Sequence, residues 1–349
     1  MSSSMDQPEA SLAIIFIRRV LSPKCRAWTF SVCPAFASMS GHCAAGASLL
    51  ANRSRLDRAT HIREAAGIAE YHGPRSQMMR CIDHPTMVRD GVCWGAPTGV
   101  TAAYLAGTGF TGAPAITIEG EDAAEHWADL GSGWRIVDDT HYKAYPVCRW
   151  AHASIDAARD LMTENNLRAD DIAHVEVKTF HKAVRLAGHA PKTLDEMTYG
   201  IVYPLATAIV RGQLGLEELR PDVLHDRAIQ AMSARITLVE DPHYTKISEG
   251  RRWGEVTLAL NDGRELNSGP RTPRGDPDMP LSDAEISEKF HLFADPVLGH
   301  VRAGQVEQIT GAFDDLDADD VCALIRLITQ PGLERAASPR VVSVTTAAE

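Results

Sequence analysis

The chain has 349 residues, 44% of them hydrophobic, enough for two domains of ordinary size and a large core. Its formal net charge of -11 argues against a nucleic-acid surface, which needs clustered Lys and Arg, but leaves room for a few cations in a pocket for a small anion. The seven cysteines form no CxxC pair, which argues against a zinc ribbon or a thioredoxin-type motif and suits reduced thiols in a cytoplasm.

The apolar run from Leu12 to Ile17 is far too short to span a bilayer. Acidic Asp6 and Glu9 precede it and Arg18 and Arg19 follow it, the reverse of a secretory signal. Residues 1–42 are Ser-rich, broken by Pro23 and Pro34, and expected to be poorly ordered. From Cys43 the pattern becomes helical, with Ala47, Leu49 and Leu50 starting an apolar face. His61 to Tyr71 continues it through Ile62, Ala65, Ala66 and Ala69, until Gly73-Pro74 stops the helix. A further helix is expected over 94–106. Gly107-Thr-Gly-Phe-Thr-Gly112 fits GxGxxG, but a helix precedes it and a short β-like run, Ala115 to Ile118, follows. A dinucleotide fingerprint requires the opposite order, so these glycines read as a helix stop and a turn.

Asp139-Thr-His-Tyr-Lys-Ala-Tyr-Pro-Val-Cys-Arg-Trp-Ala-His-Ala153 is the stretch densest in chemically capable side chains. A helix follows, with Ala151, Ile155, Ala158 and Met162 on its apolar face and His152, Asp156 and Arg159 on a polar one. Ala173 to Phe180 alternates as a strand with one wet face. Thr193-Leu-Asp-Glu196 is a capping box opening a helix that ends at Gly212; Pro204 inside it is expected to kink it or split it in two, beside Tyr203. A helix around 223–233, strands at 235–240 and 255–260, and an Asp262-Gly263 hairpin turn come next. Residues 269–281 form a Pro- and Gly-rich connector, and 282–294, 299–314 and 317–329 read as helices. The aspartates flanking the last helix, Asp314 to Asp320, read as a solvated helix start rather than a metal site. The order is helical, then mixed, then helical. It implies a large all-helical domain (43–138 plus 278–349) with a smaller α+β domain (139–277) inserted.

Lys143-Ala-Tyr-Pro-Val-Cys-Arg149, the helix from Thr193 to Gly212, and Pro273-Arg-Gly-Asp-Pro-Asp-Met-Pro-Leu281 with Lys289-Phe290 downstream resemble the MmgE/PrpD family. That family includes 2-methylcitrate dehydratase, cis-aconitate decarboxylase and iminodisuccinate epimerase. The likeness runs from about residue 44 onward, and the family's fold, all-helical with an inserted α+β domain, agrees with the order above. The family's first helices have no counterpart in residues 1–42, so the resemblance implies an N-terminally truncated or altered member. It implies a homodimer in the cytoplasm and a cofactor-independent lyase, of dehydratase or decarboxylase type, acting on a small di- or tricarboxylate. An epimerase, or a vestigial member keeping the fold and dimer surface, is the alternative. The family's active-site lysine matches Lys143 and its active-site tyrosine matches Tyr203. Where decarboxylase members carry a histidine shortly after that lysine, this chain has Cys148; where they carry a second lysine upstream, it has Pro97.

A lyase of this kind needs cations to hold carboxylates and a base and an acid tuned near neutrality. Lys143 is the candidate for carboxylate or enolate stabilisation and Tyr203 for proton donor or orienting hydroxyl. His152 is a candidate acid or base, or else pairs with Asp156 one turn on. Arg149 can grip a carboxylate bidentately or pair with an acidic neighbour. His84 and Arg89 lie in a polar loop before a helix start and are candidate substrate contacts. Cys148 reads as packing. No cofactor and no metal are expected: the cysteines are not grouped for an iron–sulfur cluster and the histidines show no HxH or HExxH pattern.

Overall fold

The computed structural model describes residues 58–73, 78–86, 92–129, 131–133, 139–248 and 250–331. The readings made for residues 1–42, for the helix from Cys43 and for Arg89 lie outside them. The described residues are mostly helical with a small four-stranded mixed sheet. The chain divides into two units. One runs to Leu214 and from Glu218 to Pro280; the other holds Gly215–Glu217 and the residues from Leu281 onward. No helix among the described residues is long and apolar enough to cross a membrane.

In the first unit, α1 (Arg58–His72), α2 (Met78–Asp83) and α3 (Val92–Gly107) come first. Ala65, Ile68 and Ala69 of α1 and Ala102, Ala103 and Ala106 of α3 form a cluster of their own. Small side chains leave room for the backbones to approach closely. After α3 the chain turns through Gly109 at φ 92°, with the Phe110 N–H returning to the Leu105 carbonyl, so the glycine-rich run is a helix stop. Its last glycine has a second role that the turn reading did not contain. A Cβ on Gly112 would lie 2.5 Å from the Glu64 carbonyl oxygen, and one on Gly67 would lie 1.8 Å from that of Ala113. The loop therefore lies directly on the α1 backbone. Glu64 accepts the Gly112 N–H and Glu70 that of Thr117.

The β-like run at Ala115 to Ile118 is not a strand. Residues Ile116–Glu119 form one helical turn, α4. Among the described residues the run has no strand beside it to complete a ladder, and Glu70 caps the Thr117 N–H near the turn's start, where a carboxylate favours helix.

Next come α5 (His152–Glu164), β1 (Ile172–Thr179), α6 (Leu194–Tyr199), α7 (Val202–Arg211), α8 (Arg227–Ser233), β2 (Ile236–Glu240), β3 (Gly254–Leu260) and β4 (Glu265–Asn267). The sheet order is β2-β1-β3-β4, with β1 and β2 parallel and the other pairs antiparallel. The hairpin turns at Asp262-Gly263 as read, with Gly263 at φ 87°. In β1 the register slips between Ile172 and His174, which leaves Ala173 as an extra residue. Strict alternation puts Ala173 on the core side; the bulge instead buries Ile172 with Val175 and Val177 and leaves Ala173 exposed.

The helix read from Thr193 to Gly212 is split. The Thr193 hydroxyl accepts the Glu196 N–H to open α6, and the chain breaks at Gly200-Ile201. The Ile201 and Val202 N–H groups donate to the Leu186 and Ala187 carbonyls, so the break leaves neither unpaired. Pro204 falls in the first turn of α7, where its missing N–H costs nothing. Gly212, at φ 72°, ends the helix. Helices α5, α7 and α8 and the sheet share one core, including Ile155, Leu161, Val175, Val177, Leu205, Ile229, Val256 and Leu258. Each such side chain contributes roughly 1.5–3 kcal/mol on burial.

In the second unit, α9 (Asp283–Leu298), α10 (His300–Gly311) and α11 (Ala318–Thr329) follow one another. Ser282 and Glu285 close a capping box on α9, and Asp317 and Asp320 close one on α11, so part of that aspartate cluster is a helix start.

Candidate active site

The side chains that converge in the first unit come from two segments distant in sequence: 139–156 and 271–279. The first is an extended run that enters α5 through a single turn, Arg149–Ala151. The second folds back on itself, with the Gly275 N–H on the Met279 carbonyl at 2.7 Å. Gly275 holds φ 93°, which side-chain-bearing residues rarely adopt, so the turn requires glycine here. The Tyr142 N–H donates to the Gly275 carbonyl at 2.8 Å and the Arg274 N–H to Asp156 Oδ2 at 3.0 Å, joining the two segments.

Asp276 is the centre of one cluster. Its Oδ1 accepts from Arg149 Nε at 2.8 Å and lies 2.9 Å from His141 Nδ1, while Oδ2 accepts from Arg149 Nη2 at 2.6 Å. His141 Nε2 lies 3.2 Å from Asp139 Oδ1. Burial works against the Asp276 carboxylate, but the hydrogen bonds and charges of His141 and Arg149 outweigh it and bring its pKa to about 2. Arg149 therefore does what its second reading held: it spends a bidentate fork on an acidic neighbour.

Asp156 is the centre of another. It accepts the Tyr145 hydroxyl at 2.6 Å, and Arg159 Nη1 donates to the same hydroxyl at 3.0 Å. Burial, then the Asp156 charge, pushes the Tyr145 pKa up to about 12. Burial also raises the Asp156 pKa, against the Tyr145 and Arg274 hydrogen bonds.

His152 lies among these groups at 0% exposure, its ring edge-on to Tyr145 with centroids 5.2 Å apart. It does not pair with Asp156. Its Nε2 meets the Val147 carbonyl at 3.3 Å. A carbonyl can only accept, so Nε2 carries the hydrogen and Nδ1 holds the lone pair. Nδ1 is buried with no hydrogen-bond partner, as is Asp139 Oδ2. Burial, then the charges of Lys143 and Arg149, lowers the His152 pKa to about 3. The ring is a neutral imidazole at neutral pH.

Lys143 is exposed, and its charge acts on the His152 ring. Cys148 is half-buried and packs against the core. Tyr203 is fully buried and donates its hydroxyl to the Val223 carbonyl at 2.8 Å. His84 is exposed just after α2, which is anchored by Ile82 in the core and by an Asp83–Arg185 ion pair. Sequence reasoning brought Lys143, Arg149 and His152 together and named Asp156 only as a partner for His152; it singled out neither His141, Asp139 and Tyr145 nor Asp276 and Arg274. The signal for the last two was the Pro273-Arg-Gly-Asp-Pro-Asp run, quoted above with no role.

A family model, the MmgE/PrpD C-terminal domain, matches residues 145–315. This stretch is an MmgE/PrpD C-terminal domain. No curated protein matches the chain. The MmgE/PrpD domain contains both segments of the site from Tyr145 onward, including Arg149, His152, Asp156, Arg274 and Asp276, and Lys143 lies just before its first residue.

Proposed function

We propose that this chain binds a small di- or tricarboxylate beside Lys143 and removes a proton next to one of its carboxylates, as a lyase. The observation that carries the reading is a buried imidazole, His152, with a lone pair on an unpartnered Nδ1 and a lysine charge acting on it. The MmgE/PrpD domain, whose family members are lyases on carboxylates, supports the substrate class.

With a pKa of about 3, His152 is a weak base in the free protein. A substrate carboxylate on Lys143 offsets one of the charges that depress it and raises its basicity when substrate is present. Substrate binding must first open the packing that leaves the His152 ring 0% exposed in the free protein; the C–H proton then passes to Nδ1 and the C–H electron pair enters a new C=C bond as hydroxide leaves. The imidazolium then returns that proton to the hydroxide, so water departs and the ring is neutral again. Lys143 stabilises the negative charge that develops on the carboxylate as the C–H bond breaks. Tyr203 takes no part as proton donor, because it is fully buried, its O–H is donated to the Val223 carbonyl and burial raises its pKa.

The test is turnover of 2-methylcitrate, citrate, cis-aconitate and iminodisuccinate, with solvent deuterium incorporation into substrate followed by NMR to catch proton removal without elimination. Lys143→Ala is expected to lower kcat/KM at least about tenfold, on the order of 1.4 kcal/mol of transition-state stabilisation, with the fold retained. Tyr203→Phe is expected to cost less. No turnover and no deuterium exchange with any of these acids refutes the reading. That result favours a non-catalytic member, for which the commitment of the Arg149 fork to Asp276 is the supporting observation.

A further inference from the structure

The second unit contains a cluster that the lyase reading does not use. His291 and Asp295 are one helical turn apart on α9, and His300 is the first residue of α10. Gly299, at φ 81°, turns the chain between the two helices. Asp295 Oδ1 lies 2.7 Å from His291 Nδ1, and its Oδ2 lies 2.9 Å from His300 Nδ1. One atom from each of the three side chains lies within 4.8 Å of the others. The two imidazole rings face the same carboxylate with centroids 5.0 Å apart.

A second observation concerns the far side of His291. Its Nε2 lies 3.0 Å from Glu307 Oε2, on α10. A carboxylate can only accept, so Nε2 carries the hydrogen and Nδ1, the nitrogen turned toward Asp295, is left as a ligand atom once its own proton is lost. An outer carboxylate that fixes the tautomer of an inner histidine is the usual support of a metal-bound imidazole. His300, with its side chain 78% exposed, leaves the cluster open to solvent.

We propose that His291, Asp295 and His300 bind one divalent transition-metal ion, with Glu307 orienting His291 from outside. Two imidazole nitrogens and one carboxylate oxygen suit Zn2+, Co2+ or Ni2+ rather than Mg2+ or Ca2+, which prefer all-oxygen shells. Water fills the remaining position. Binding exchanges the protons held between the rings and Asp295 for the metal, and these are released to solvent. The ion then joins α9 to α10 through His300. The histidines are too far apart in sequence to form HxH or HExxH, which is why motif reading passes over them.

The experiment is Co2+ titration of the full chain, freed of metal with EDTA and dialysed, followed by visible absorption, with Zn2+-dependent thermal shift alongside. One saturable equivalent of Co2+ with a ligand-field band is expected, together with a rise in Tm of several degrees with Zn2+. His300→Ala and Asp295→Asn are expected to abolish both. Glu307→Gln is expected to weaken Co2+ binding about 10- to 100-fold while leaving the stoichiometry unchanged. His300→Ala removes an exposed side chain, so its far-ultraviolet circular dichroism is expected to match wild type, which keeps the test valid if Asp295→Asn unfolds. The proposal is overturned if no saturable band forms. It is equally overturned if the band survives in His300→Ala, which assigns the metal to thiols or histidines elsewhere in the chain.

Discussion

At neutral pH the folded chain keeps His152 uncharged, while an unfolded chain protonates the same ring near pH 6.5. With the folded pKa at about 3, the unfolded state binds the extra proton throughout the window between these values. The contribution of His152 to stability is therefore intact above pH 6.5 and is lost as pH falls toward 3, by about 1.4 kcal/mol per pH unit. Between pH 6.5 and pH 5 the loss is about 2 kcal/mol. The His152→Leu variant keeps an apolar side chain of similar volume at this site and has no ring to titrate. Urea unfolding followed by tryptophan fluorescence measures the effect, since the described tryptophans, Trp94, Trp127, Trp150 and Trp253, lie in the first unit. The stability difference between wild type and His152→Leu is expected to change by about 2 kcal/mol between pH 7 and pH 5, against wild type at the lower pH. The other titrating groups are common to both proteins and cancel. Asp276, whose pKa folding lowers to about 2, loses its contribution as pH falls from about 4 toward 2, below the range compared. Parallel stability profiles across this range would refute the placement of a neutral, buried imidazole.

Gly67→Ala places a methyl 1.8 Å from the Ala113 carbonyl, so loop and helix must separate; about 1–3 kcal/mol of destabilisation is expected in urea unfolding. Asp276→Ala strips Arg149 of both of its bonds to this carboxylate and is expected to cost about 3–5 kcal/mol. Adding Arg149→Met removes the stranded charge, and the double variant is expected to recover part of that loss; a strictly additive double-mutant cycle contradicts the pairing. Asp226→Ala removes the side-chain cap that accepts the Ala228 and Ile229 N–H groups and is expected to cost about 1 kcal/mol in the same assay.

Much of the local structure was legible. The alternation over 173–180 located β1, Asp262-Gly263 located the hairpin, Thr193 located the start of α6, and Pro204 signalled the divided helix. These depend on backbone geometry and on neighbours within a few residues, which a sequence displays directly. The misreadings came where another part of the chain intervenes. The run at Ala115 to Ile118 has β-formers but no partner strand among the described residues, and a carboxylate from α1 caps it as a helical turn. Ala173 has the parity of a core residue, but pairing with β3 makes it a bulge.

The sequence by itself determined the chemical inventory of the site: Lys143, Arg149 and His152 cluster within a few residues, and the Pro273-to-Leu281 run is conspicuous. Periodicity also separated the apolar face of α5 from its polar one, but it could not show that the polar face is covered. His152 and Asp156 are buried, and the Asp276 that occupies Arg149 lies 127 positions further along. Periodicity reports the direction in which a side chain leaves its own backbone, not what packs against it. Only the tertiary structure decided that Arg149 is neutralised, that Tyr145 rather than His152 holds Asp156, and that His152 is kept neutral with an unpartnered nitrogen. Charge state and hydrogen-bond satisfaction depend on the whole surrounding volume, which is assembled only when segments distant in sequence meet.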